Sequence, residues 1–98
     1  MADLIWSPRA IRDLDEICDY IANDSEKYAA IFAQQLVSLV ERTPDHPFAG
    51  SIVPEYDDPN LRERFLHSYR IIYRVRGDTI ELVTICHGAR LLDSGLEG

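Results

Sequence analysis

Six arginines fall between residues 62 and 90 of this 98-residue chain: Arg62, Arg64, Arg70, Arg74, Arg76 and Arg90. Only three acids, Glu63, Asp78 and Glu81, share that stretch, while the remainder carries 4 basic and 14 acidic side chains. An acidic protein has thus gathered its positive charge into one segment. A guanidinium offers five donors in a planar fork and stays charged at any working pH, which suits it to carboxylates and phosphates. His87, next to Gly88 and three residues before Arg90, adds a group able to move a proton near neutrality. Two chemistries fit such a set. One is recognition of a partner surface by charge. The other is acid–base work supported by cations around a developing anion.

A plainer reading stands beside both. Arg62, Arg64, Arg70, Arg74 and Arg76 can pair across strands with Glu63, Glu81 and the acidic first helix, in surface contacts worth at most about 1 kcal/mol each. The excess of arginine over nearby acid favours a partner surface. For His87 the plain reading is a cap on the sheet end, hydrogen bonded to backbone or to Tyr69. His67 belongs to the solvated or partner face and His46 to a proline-rich loop. Three histidines this far apart, with no Cys-x-x-Cys spacing, give no metal signature. Cys18 and Cys86 sit in apolar patterns and read as buried, reduced thiols. No metal or cofactor is expected.

The elements that must position these residues follow from periodicity. Leu4 to Trp6 is an apolar run suited to an edge strand. Ser7-Pro8 starts a helix, with serine as N-cap and proline at the first helical position, where its missing N–H costs nothing. Ile11, Leu14, Ile17, Cys18 and Ile21 then recur at helical spacing until Asn23-Asp24-Ser25. A second helix carries Ala29, Phe32, Leu36, Leu39 and Val40 on one stripe and ends before Pro44. Two such helices joined by two or three residues make an antiparallel hairpin. Residues 44–60 hold four of the five prolines and form a loop, with a brief strand near Ile52-Val53.

After the loop the period becomes that of strands: Arg62 to Ser68, Arg70 to Arg76, and Thr79 to His87, the last two joined at Gly77-Asp78. Ile71, Tyr73 and Val75 point one way, toward the hairpin; Arg70, Arg74, Arg76 and Ile72 point the other, onto an open face. The final strand is apolar on both faces, as a central strand or a partner-covered one would be. Leu14, Ile17, Phe32, Leu36, Tyr73 and Val83 are expected in the core. The fold class is α+β, in the order β-α-α-β-β-β, with a small antiparallel sheet in one domain over residues 1–98.

Composition narrows function further. A net charge of −7 and a pI near 4.7 argue against non-specific binding to nucleic acid. No window approaches the roughly 18 apolar residues of a membrane span, and MADLIWSPRA lacks the pattern of a signal peptide. A cytoplasmic location is expected.

The chain resembles the RelE/ParE toxin superfamily of bacterial type II toxin–antitoxin modules over nearly its whole length. The resemblance lies in W-S-P-R-A-I-R-D-L-D-E-I-C-D-Y-I (Trp6 to Ile21), V-P-E-Y (Val53 to Tyr56), R-E-R-F-L-H-S-Y-R-I-I-Y-R-V (Arg62 to Val75) and I-C-H-G-A-R-L-L (Ile85 to Leu92). Each piece is weak by itself; their order and spacing are specific. The resemblance implies a helix hairpin on a small antiparallel sheet and an antitoxin partner lying along the toxin.

It also leaves two activities open: ribosome-dependent mRNA cleavage, as in RelE-like members, and inhibition of DNA gyrase by protein binding, as in ParE-like members. The lysine pair of the RelE pattern falls on Leu61 and Glu63, the lone lysine is Lys27 on the second helix, and the tail LLDSGLEG has neither tyrosine nor histidine. Arg70 and Arg90 match both branches. The ParE-like branch is therefore expected, with no catalytic residue, a partner surface of Arg62, Arg64, Arg70, Arg74 and Arg90, and no direct contact with nucleic acid. Were the chain a nuclease acting on the ribosome, Arg70, His87 and Arg90 would be the catalytic candidates. A third possibility is a toxin fold that only pairs with its antitoxin.

Overall fold

The computed structural model describes residues 3–90 and residue 92. Strand β1 (Asp3–Trp6) leads into helix α1 (Pro8–Ala22). Helix α2 (Glu26–Arg42) follows after three residues and ends in a 3-10 turn at Thr43–Asp45. Strands β2 (Ser51–Ile52), β3 (Leu61–Leu66), β4 (Tyr69–Arg76) and β5 (Thr79–His87) complete a five-stranded sheet in the order β1-β5-β4-β3-β2. The α+β order stands as expected. The sheet, however, is mixed: β1 runs parallel to β5, pairing Leu4 with Ile80 and Trp6 with Leu82, while the remaining pairs are antiparallel. Strand β2, the first after the α1–α2 hairpin, runs opposite to β1, and three antiparallel steps through β3 and β4 bring β5 back parallel to it.

Both helix starts are capped as their residues dictate. Ser7 Oγ accepts from the Ala10 N–H at 3.0 Å, and Ser25 Oγ from the Tyr28 N–H at 3.1 Å. Ser7 also donates to the Val83 carbonyl at 2.8 Å, which docks α1 on β5. That docking meets a β-bulge. Opposite Ile72 and Tyr73 the register jumps from Thr84 to Leu82, leaving Val83 extra. The backbone groups freed there must be satisfied by another element. Asp13 on α1 does so, accepting from the Ile85 N–H at 3.0 Å and from Thr84 Oγ1 at 2.5 Å.

The sheet is covered on both faces. On one, Ala10, Phe32, Leu36, Leu39 and Val40 of the helices pack on Ile71, Tyr73, Val75, Ile80, Leu82 and Ile85. Leu14, Ile17, Cys18 and Ile21 are half-buried at its margin. Ile11, expected on the apolar stripe, is exposed, and Ala10 takes the inward position. On the opposite face Val53, Leu61, Ile72, Val83 and Cys86 form a second cluster, with Tyr56 and Leu92 over it. The expected open face is thus a covered one. Val83 belongs to this second cluster, where Ile72 is fully buried.

Residues 43–60 wrap the β3 edge from the helix side to the outer side. The Tyr73 hydroxyl anchors the near end, donating to the Pro47 carbonyl at 2.7 Å and accepting from the Gly50 N–H. A Cβ on Gly50 would lie 2.7 Å from both the Glu63 carbonyl oxygen and the Tyr73 hydroxyl, so the crossing is open only to glycine. Tight turns join β3 to β4 at His67-Ser68 and β4 to β5 at Gly77-Asp78, where His67 and Gly77 have positive φ.

Candidate functional site

The register divides the arginine set between the two faces. Cross-strand neighbours share a face. Arg62 pairs with Tyr73 and Arg64 with Ile71, both of which face the helices; Phe65 pairs with Arg70 and Leu61 with Arg74, on the outer side. The expected partner surface of Arg62, Arg64, Arg70, Arg74 and Arg90 is therefore divided, with Arg62 and Arg64 on the helix side and Arg70 and Arg74 on the outer side. Pairing with β4 turns Leu61, Glu63 and Phe65 of β3 outward.

Each arginine has a distinct setting. Arg62 reaches along the wrapping loop, donating to the carbonyls of Pro59 at 2.7 Å and Gly50 at 3.0 Å, with its guanidinium over the Phe48 ring at 5.1 Å. It organises the loop. Arg64 is half-buried on the same side, and Arg74 lies opposite Glu81. Arg76 and Arg90 are exposed.

Arg70 departs most from expectation. It is 4% exposed, and its guanidinium makes four hydrogen bonds to protein acceptors. Nε donates to Glu63 Oε1 at 2.7 Å and Nη2 to Glu55 Oε1 at 2.8 Å, with Nη2 also ion-paired to Glu63 Oε1 at 2.6 Å. Nη1 donates to Glu55 Oε2 at 2.7 Å and to the Arg90 carbonyl at 3.1 Å. Glu55 Oε2 in turn accepts from the Leu92 N–H at 3.1 Å. One guanidinium on β4 therefore ties β3, the wrapping loop and the segment after β5. The Arg70 hydrogen bonds, above all, hold the Glu55 carboxyl down at about 2, well below the usual carboxylate range; the same two carboxylates push Arg70 further up.

This triad floors a cleft of about 340 Å³, lined also by Pro54, Phe65, Gly88 and Arg90. Phe65 stands 56% exposed at its rim. Gly88 passes close over the β3–β4 turn, its N–H 2.6 Å from the Ser68 carbonyl. His87 lies on the exposed side, its Nδ1 accepting from the Ala89 N–H at 3.2 Å and its ring edge-on to Tyr69, with centroids 5.8 Å apart. That is a strand-end cap. A second, almost wholly apolar groove of about 390 Å³ opens between Ile21, Tyr28, Ile31, Phe32, Gln35, His67 and Tyr69. Here His67 Nε2 meets Gln35 Oε1 at 2.9 Å.

Sequence reasoning picked Arg70 and Arg90, and the fold brings them to one cleft. It missed Glu55 as a partner of Arg70, because Glu55 lies fifteen positions away in a loop on the far side of β3 and no period links them. Glu63 had been named only as one possible cross-strand acid. Cys18 and Cys86 stand far apart in the fold, one half-buried and one buried, and burial pushes both thiols up. Among the described residues no cluster of His, Cys, Asp and Glu could hold a metal ion, and no helix is long and apolar enough to cross a membrane.

A helix hairpin on a mixed sheet is a fold that solved toxin structures share. A ParDE toxin–antitoxin system from Pseudomonas aeruginosa is 27% identical, with a TM-score of 0.73 over 89% of this chain and 96% of the other. The YoeB dimer of Staphylococcus aureus shares the fold at 16% identity and a TM-score of 0.58, over 88% of this chain and 94% of that one. Toxin RelE2 of Caulobacter vibrioides is 33% identical over 92 residues, 93% of this chain and all of the relative. Residues 4–92 match the model of the ParE toxin of the type II toxin–antitoxin system parDE, and the chain belongs to that family.

Proposed function

We propose that the chain, as one toxin domain, acts in the cytoplasm by binding DNA gyrase and poisoning it, without catalysis, and that a cognate antitoxin neutralises it. The engagement of Arg70 carries this reading. Cleavage of an RNA backbone without metal needs donors aimed at a phosphate that gains charge in the transition state. Arg70 already gives four N–H groups to protein acceptors, and a phosphate entering the cleft would face Glu55 and Glu63 as well as the buried Arg70 and the rim Arg90. The positions where the RelE pattern has lysines hold Leu61, buried in the outer cluster, and Glu63, committed to Arg70. His87 is engaged as a strand-end cap. Of the tail LLDSGLEG all but Leu92 lies outside the described residues.

For the antitoxin, the apolar groove between α1, α2 and the β3–β4 turn suits the buried stripe of an amphipathic segment. Expression of the chain in bacteria tests the function. Growth arrest with DNA breaks and a damage response, relieved by co-expressed antitoxin, supports gyrase as target. Arrest with cleaved transcripts and intact DNA would favour the nuclease, and no arrest would favour a chain that only pairs with its antitoxin.

A further inference from the structure

We propose that Arg70, Glu55 and Glu63 form a positioning clasp: they hold the segment after β5 against the outer face so that the Arg90 side chain is presented to the target, and Arg70 touches no partner itself. The inference rests on the proposed toxin function, since it concerns how that function is displayed.

The segment leaving His87 has little else to fix it. Gly88 hydrogen bonds to Ser68, the Arg90 N–H to the His87 carbonyl, and Ala89 to the His87 ring. Gly88 is thus tied to the β3–β4 turn, and past it two further long-range bonds carry the segment on: the Arg90 carbonyl accepts from Arg70 Nη1, and the Leu92 N–H donates to Glu55. Both end in the clasp. Leu92 is thereby seated on Val53, Leu61, Ile72, Val83 and Cys86, closing the outer cluster. Arg90 contributes only backbone to this, so its guanidinium is left on the exposed rim beside Phe65.

The division of labour is sharp. Arg70 is buried, with four hydrogen bonds to protein acceptors and ion pairs to two carboxylates, and a group so engaged is poorly placed to contact a partner. Loss of function on changing Arg70 would then arise through the segment it holds.

The two roles respond differently to two variants. Arg70→Lys keeps the charge but not the fork, and three donors on a point ammonium cannot serve both carboxylates and the Arg90 carbonyl. Arg70→Met combined with Glu55→Gln and Glu63→Met removes all the charge while keeping volume and an acceptor for the Leu92 N–H; buried ionic clusters often tolerate such apolar replacement. Two readouts are taken on the whole chain: the expression level that arrests growth, and the rate at which trypsin releases residues 91–98 by cutting after Arg90.

The clasp predicts that Arg70→Lys speeds that cut about tenfold or more, as local opening replaces a held segment, and raises the arresting level in step. It predicts that the triple variant returns both readouts most of the way to the parent chain. Arg90→Ala should raise the arresting level, while exchange of the Leu92 amide stays as slow as in the parent. If Arg70→Lys keeps toxicity and the triple variant, folded by circular dichroism, loses it, Arg70 acts as a charge contact and the proposal is overturned. The same holds if toxicity falls with no change in cutting. Arrest that follows this pattern without any effect on gyrase would refute the target but leave the clasp standing.

Discussion

Replacing Glu55 with glutamine isolates the charge in the clasp, because glutamine keeps the shape and one acceptor oxygen. In the fold the Glu55 carboxyl titrates at about 2 against an ordinary 4.5, chiefly because Arg70 donates to it. A folded-state value below the unfolded one means that the ionised carboxylate stabilises the fold above pH 4.5. That stability is lost as pH falls from 4.5 through about 2. At about 1.4 kcal/mol per unit, the gap corresponds to roughly 3 kcal/mol at neutral pH, about 1.4 kcal/mol at pH 3 and under about 0.5 kcal/mol at pH 2. The Glu55 side chain is 18% exposed, so partial screening makes roughly 3 kcal/mol an upper figure.

Urea unfolding of parent and Glu55→Gln at pH 7, 4 and 3 measures this directly. Acid also relieves the self-repulsion of a chain carrying −7, but that effect is shared by both proteins to within one charge and largely drops out of the difference. The expected result is a deficit of about 2–3 kcal/mol at pH 7 that shrinks by more than half at pH 3. A variant as stable as the parent at pH 7 would refute the clasp energetics, as would a deficit independent of pH.

Three further outcomes are expected. Gly50→Ala should cost about 1–3 kcal/mol by thermal or urea unfolding, because the added methyl meets backbone and the Tyr73 hydroxyl, which are not free to yield. Leu36→Ala, at a fully buried position between the helices and the sheet, should cost about 2–5 kcal/mol in the same assay. His87→Ala should arrest growth at the same expression level as the parent; a loss of arrest with retained stability would return His87 to a chemical role.

Much of the fold is legible because it rests on local rules. Ser7-Pro8 and the stripe from Ala29 to Val40 fix the helices, and the alternation from Tyr69 to Arg76 fixes the central pair of strands. The parallel pairing of β1 escaped notice because four residues carry no signal of direction. The faces of strand β3 were not legible: its arginines alternate with Leu61, Glu63 and Phe65, and nothing in the strand alone says which set faces the helices. Only the pairing of Arg62 with Tyr73 decides that.

The site was legible as a set of residues and illegible as an arrangement. Arg70 and Arg90 were singled out and lie at one cleft, yet the charge of Arg70 was read as surface because its counter-ion, Glu55, comes from a loop without periodicity. The apolar residues of β5 pointed to a covered second face. The cover is the chain itself, through Val53, Tyr56 and Leu92, so that surplus gives no evidence of a partner.

The most direct measurement adds the purified chain to DNA gyrase with relaxed plasmid, and in parallel to programmed ribosomes, each with and without antitoxin. Loss of supercoiling with trapped cleavage complexes, reversed by antitoxin, and no cut in the ribosome-bound message is the predicted result. Intact supercoiling at large molar excess together with a cleaved message would contradict it.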